Sequence, residues 1–167
     1  MTGIILSLLL VPLFSALIVF AIPNTRKEIF RPIGILFSLI TFTQSMYILF
    51  SDYSKLDFKI LYRYEWIQSY GLEINFGISG MSTLLLLLSS LLVLLSLLSI
   101  GEDHSQSKGF IGSILTLHFA INGVFISGDL ISLFIFFEAL LIPMYFLMGI
   151  WGGENRRYAT IKFILYT

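Results

Sequence analysis

Five long apolar segments constrain the fold of this chain more than any other feature of its sequence. Each is about 20 residues long, and a helix of that length rises about 30 Å, the thickness of the hydrocarbon core of a bilayer. Because backbone polar groups find no water in hydrocarbon, each segment is predicted to be helical. The predicted spans are residues 3–22, 32–50, 80–100, 109–127 and 129–150.

The predicted fold class is therefore all-α: a polytopic transmembrane helical bundle, one domain over residues 1–167, with five full spans plus the start of a sixth. The sixth helix is predicted at 158–167, where ten residues supply only about 15 Å of rise. The first apolar segment lacks a basic stretch before it and is too long for the core of a signal peptide. It is interpreted as a span that the product retains.

Composition supports the membrane class and excludes several functions. Only 12% of the 167 residues are charged, whereas soluble domains carry about 25%. The formal net charge is zero, and no basic stripe predicts a nucleic-acid partner. The absence of cysteine excludes disulfides, thiolate zinc sites and cysteine-ligated iron–sulfur clusters. With only His104 and His118, a haem or multi-histidine metal site is not expected either, so no redox centre is predicted in this chain.

The distribution of basic residues predicts the orientation of the bundle. Seven lie on the side of the first loop and three on the other, and the excess of Lys and Arg marks the negative side of a membrane. The N-terminus and the loop 51–78 are therefore predicted on the positive side. The seven are Arg26, Lys27, Arg31, Lys108, Arg156, Arg157 and Lys162; the three are Lys55, Lys59 and Arg63.

An acidic residue, Glu138, lies near the middle of the apolar stretch "DLISLFIFFEALLIPMYFLMGIWGG" at 129–153. Ionisable groups within membrane spans are costly and mark proton relays and ion pathways. Glu138 is therefore predicted to be a proton-pathway carboxylate. The alternative is that it forms a hydrogen bond that only helps helices to pack.

His118 is predicted to lie at the same depth as Glu138. The turn "SGD" at 127–129 separates the fourth and fifth spans, and both residues are ten positions from Gly128, about 15 Å away. A contact between them, and a role for His118 as a proton-pathway partner, are hypotheses; a histidine in a helix can also serve packing alone.

Three further polar residues lie in the fourth and fifth spans or at the turn between them. Asn122 is expected to hold a water or bond to a neighbouring helix, and Asp129 is expected to cap the fifth helix. Tyr145 shares a helix face with Glu138, and it could either bond to that carboxylate or serve packing.

The segment "DLISLFIFFEALLIPMYFLMGIWGGENRRYATIKFILYT" at 129–167 closely resembles subunit 4 of NADH:ubiquinone oxidoreductase, the antiporter-like, proton-pumping subunit of respiratory complex I. The resemblance is strong over residues 110–167. The stretch "FGISGMS" at 76–82 is similar to the family's "FGIDGIS", with Ser79 in place of the acid.

The resemblance implies a subunit of fourteen spans in which the glutamate at the position of Glu138 pairs with a lysine on the seventh span. Further buried lysines and an acid on later helices carry protons to the positive side. In many members an acid lies near the position of His118. The resemblance also implies that NADH, FMN, iron–sulfur clusters and ubiquinone are held by other subunits, with bound phospholipid as an optional ligand of this one.

The chain stops within the sixth span, so we expect either a subunit split between two genes or a truncated product, with the split favoured. The expected partners are the other membrane subunits of the complex, including neighbouring antiporter-like subunits and a chain that supplies the missing helices, together with membrane lipids. A composition rich in Phe and poor in Ala predicts a mitochondrial inner membrane location, with a bacterial plasma membrane as the fallback. The alternative functions are a cation/proton antiporter subunit, a membrane-bound hydrogenase subunit and a non-conducting structural fragment.

Overall fold

Five apolar helices dominate the structure, a computed structural model that describes residues 2–51, 58–67, 72–101 and 107–167. His104, one of the two histidines, and Lys55, one of the three basic residues predicted on the positive side, lie outside the described residues. Each of the five helices is long and apolar enough to cross a membrane, which confirms the predicted helical bundle. Their bounds are α1 Thr2–Ala21, α2 Phe30–Phe50, α3 Gly80–Ser99, α4 Lys108–Ile126 and α5 Leu130–Trp151, followed by a shorter helix, α6, at Arg156–Tyr166.

Polar residues at the helix ends explain where α3 begins and ends. Ser79 caps its N-terminus, and Ser79 and Ser82 form a reciprocal capping box in which each side chain accepts from the other residue's backbone N–H. At the other end, Arg31 donates from Nε to the carbonyl oxygen of Leu97 at 3.0 Å and from Nη2 to that of Leu98 at 2.5 Å. A cation at a helix C-terminus pairs with carbonyls that have no helical donor.

The loop between α2 and α3 contains a β-hairpin that the all-α prediction does not include. Strand β1, Lys59–Ile67, pairs antiparallel with β2, Leu72–Ile78. In β2 apolar residues occupy every second position from Leu72 to Ile78, the period of a strand with one buried face. In β1 the aromatic residues Tyr62, Tyr64 and Trp66 alternate with charged residues, but Leu61 and two irregularities in the register interrupt the pattern.

The hairpin is attached to the tight turn between α4 and α5. The backbone N–H of Gly128 donates to the carbonyl oxygen of Asn75 at 2.7 Å, and the N–H of Asn75 donates to Oδ2 of Asp129 at 2.7 Å. Phe76 and Ser127 form an additional β-bridge. The hairpin therefore fixes the start of α5.

Two apolar clusters fill the interior of the bundle formed by α1 to α4. The cluster at the hairpin end includes Ile5, Leu8, Ile48, Leu86 and Ile126. The cluster at the other end includes Ala16, Val19, Phe30, Val93, Leu97, Ile111 and Leu115. Each helix contributes to both clusters, as expected for spans that run the full depth of the bundle.

Helix α5 lies at the edge of the bundle. It packs against α4 on one side and α6 on the other, and only Ser132 and Pro143 are buried along its length. The close approach of α4 and α5 depends on Gly123, where a Cβ atom would overlap the ring of Phe136. The rest of α5 presents a broad exposed face.

Candidate functional site

The carboxylate of Glu138 lies on the exposed face of α5, nine residues into a helix of 22. Its neighbours on that face are large and apolar, and Phe134 and Ile142 are 61% and 62% exposed. Within the described part of the chain, no hydrogen bond or ion pair is made by this side chain. An acid at the centre of a membrane helix that faces lipid costs roughly 3 kcal/mol, so the position is unfavourable unless a polar group covers it.

His118 is placed differently, in the interior of the bundle. Its side chain is fully buried, and neither Nδ1 nor Nε2 has a hydrogen-bond partner among the described residues. It belongs to a stripe along α4 with Leu115 and Asn122, spaced one helical turn apart. His118 is therefore a buried polar group without a partner in this part of the chain.

The structure does not bring Glu138 and His118 together. The turn at Ser127–Asp129 places both eight residues from the facing ends of α4 and α5, so the two residues lie at a similar depth. However, His118 is buried in the bundle, whereas Glu138 is exposed on its outer face. In the described residues they share no hydrogen bond or ion pair, and the hypothesis of a direct contact gains no support.

Asn122 bonds to a neighbouring helix, one of its two predicted roles. Its Nδ2 donates to the carbonyl oxygen of Leu8 on α1 at 3.1 Å, and its Oδ1 accepts from Ser89 on α3 at 3.4 Å. A single side chain thus joins three helices. This role is structural and involves no exposed surface.

Tyr145 lies on the exposed face of α5 and packs edge-to-face against Phe146, with ring centroids 5.4 Å apart. Its hydroxyl makes no hydrogen bond to Glu138 within the described part of the chain. It lines a crevice between α5 and α6 together with Arg157 and Thr160. The observed role is therefore packing.

Asp129 caps α5, as predicted. Its Oδ1 accepts from the backbone N–H groups of Ile131 and Ser132 at 2.9 and 2.8 Å, and its Oδ2 accepts from the Ser132 hydroxyl at 2.7 Å. Partial burial raises the pKa of Asp129, but these bonds and the one from Asn75 outweigh it and hold the pKa below its ordinary value of 3.8. The carboxylate is thus kept ionised just outside the start of α5.

Arg31 makes an interaction that the sequence does not predict. Its charge indicates only the side of the membrane on which it lies, yet it binds two backbone carbonyls at the end of α3. Its sequence separation from Leu97 is 66 residues. A contact of that range leaves no local signal, since it depends on how α2 and α3 pack.

The segment that contains Glu138 matches a known family of membrane proteins. Residues 127–167 match the family described as NADH:quinone oxidoreductase/Mrp antiporter, transmembrane. The chain is 35% identical over 163 residues to NADH-quinone oxidoreductase subunit M of Rickettsia conorii, an alignment that covers 93% of this chain and 33% of that protein. The chain is a homologue of subunit M of the NADH-quinone oxidoreductases.

Other members of this group agree. The chain is 35% identical over 163 residues to an NAD(P)H-quinone oxidoreductase chain 4 of Trichodesmium erythraeum, covering 96% of this chain and 29% of that protein. Among solved structures it resembles a chain of respiratory complex I from Thermus thermophilus with bound NADH, with a TM-score of 0.78 and 26% identity over 97% of this chain and 32% of that one.

The fold extends beyond the subunit M homologues. A chain of an archaeal membrane-bound sulfane sulfur reductase aligns with a TM-score of 0.74 and 23% identity, over 96% of this chain and 33% of that one. The chain spans about a third of the length of the curated relatives that it matches. Two thirds of a subunit M protein therefore have no counterpart in this sequence.

Proposed function

We propose that the chain contributes to proton translocation as part of an antiporter-like subunit in the membrane portion of NADH:quinone oxidoreductase. It would hold no redox centre itself. The oxidation of NADH and the reduction of quinone would take place in other subunits, which would carry the FMN, the iron–sulfur clusters and the quinone. The homology to subunit M supports this assignment.

The position of Glu138 carries the proposal. A carboxylate in the middle of a membrane span, exposed on one side and without a partner in the described chain, requires a polar environment that this bundle does not itself supply. A basic group on a neighbouring helix would stabilise the ionised form, and a change in that pairing would shift its proton affinity. Such coupling is what a pump needs to link a distant reaction to proton uptake.

The surface around Glu138 supports a partner made of further membrane spans. The face of α5 is lined by large apolar side chains, and α6 adds Tyr158, Ile161 and Leu165, each at least 60% exposed. These side chains would pack against additional helices, one of which would bring the lysine that the family resemblance implies. The helices would belong to the remainder of an antiporter-like subunit, on the same polypeptide or on another, next to other membrane subunits.

The proposed location is an energy-transducing membrane, with the N-terminus and the hairpin on the positive side. The excess of basic residues in the loops on the opposite side supports this orientation. The Phe-rich, Ala-poor composition favours the mitochondrial inner membrane. The homologues named above are bacterial, and a bacterial plasma membrane fits the chain equally well.

The proposal is tested by Glu138→Gln in the assembled complex, which removes the charge and leaves the shape. The matched control is Glu154→Gln, since Glu154 is an exposed glutamate in the loop after α5. We expect Glu138→Gln to reduce NADH-driven proton transport by roughly tenfold to a hundredfold. The upper figure is the low end of the effect of removing a proton-transfer group. The control should change neither NADH oxidation nor transport.

Assembly is measured beside transport, so that loss of the complex is not mistaken for loss of function. The amount of complex in native gels should match that of the unsubstituted protein. Normal proton transport per NADH oxidised in Glu138→Gln would contradict the proposal.

A cation/proton antiporter is the second candidate, because the matching family also includes Mrp antiporters. The two functions differ in their partners. Native purification of the chain would recover NADH:quinone reductase activity in the first case. In the second it would recover cation-dependent proton exchange without that activity.

A further inference from the structure

We draw no further inference here: the strongest candidate, the apolar groove of about 920 Å³ between α3 and α4, carries nothing because nothing in the structure shows what covers it.

Discussion

Asn122 donates its side-chain amide to the carbonyl oxygen of Leu8, 3.1 Å away on the neighbouring helix. This is the carbonyl that Pro12 leaves without a donor, because proline lacks the N–H that would bond four residues back. In a membrane, water does not satisfy such a carbonyl. The pair shows how a proline inside α1 is tolerated: its neighbour α4 supplies the missing hydrogen bond.

This relationship predicts a double-mutant cycle. Asn122→Ala should lower the free energy of unfolding by about 1–3 kcal/mol, because it leaves the Leu8 carbonyl buried and unpaired. In the background of Pro12→Ala the backbone N–H of residue 12 bonds to Leu8, so Asn122→Ala should cost less. Unfolding in mixed detergent micelles measures all four variants, and equal costs in both backgrounds would show that the two residues are not coupled.

The close packing of α4 on α5 predicts a steric effect at Gly123. A methyl group there would overlap the ring of Phe136, so Gly123→Ala should lower the free energy of unfolding by about 1–3 kcal/mol, the usual range for an overpacked site. The matched control is Gly3→Ala, at a helical position where a Cβ atom would meet nothing within 4 Å. Micelle unfolding of both variants is the measurement, and a Gly123→Ala protein as stable as the control would contradict the packing.

Asp129 predicts a dependence of stability on pH. Its pKa in the folded chain is held below the ordinary value of 3.8, and a group whose pKa is depressed by folding stabilises the fold at pH above its unfolded pKa. That contribution should be lost as the pH falls below about 4 and passes through the folded pKa. Melting of the chain from pH 7 to pH 3 follows this loss.

The variant that isolates the effect is Asp129→Asn. Asparagine keeps an oxygen for capping α5 but lacks the charge, and its NH₂ group opposes the donors from Asn75 and Ser132. It should be less stable than the unsubstituted chain at pH 7 and show a smaller loss between pH 5 and pH 3. Parallel pH profiles for the two proteins would assign the acid sensitivity to another carboxylate.

Local sequence patterns account for only part of the β-hairpin. The alternation of apolar residues at every second position from Leu72 to Ile78 is a local signal for strand β2. The attachment of Asn75 to the turn at Gly128 is not local. It requires the turn between α4 and α5 to lie against the hairpin, and no local pattern in the sequence specifies that placement.

The sequence by itself determined the five spans, because hydrocarbon forces each apolar segment of sufficient length to satisfy its backbone as a helix. It also determined the depth of Glu138 and His118, since rise per residue is constant along a helix. Only the tertiary structure decided which way each side chain faces. Orientation around a helix axis depends on which neighbours pack against it, and those contacts bury His118 in the bundle and leave Glu138 on the open face.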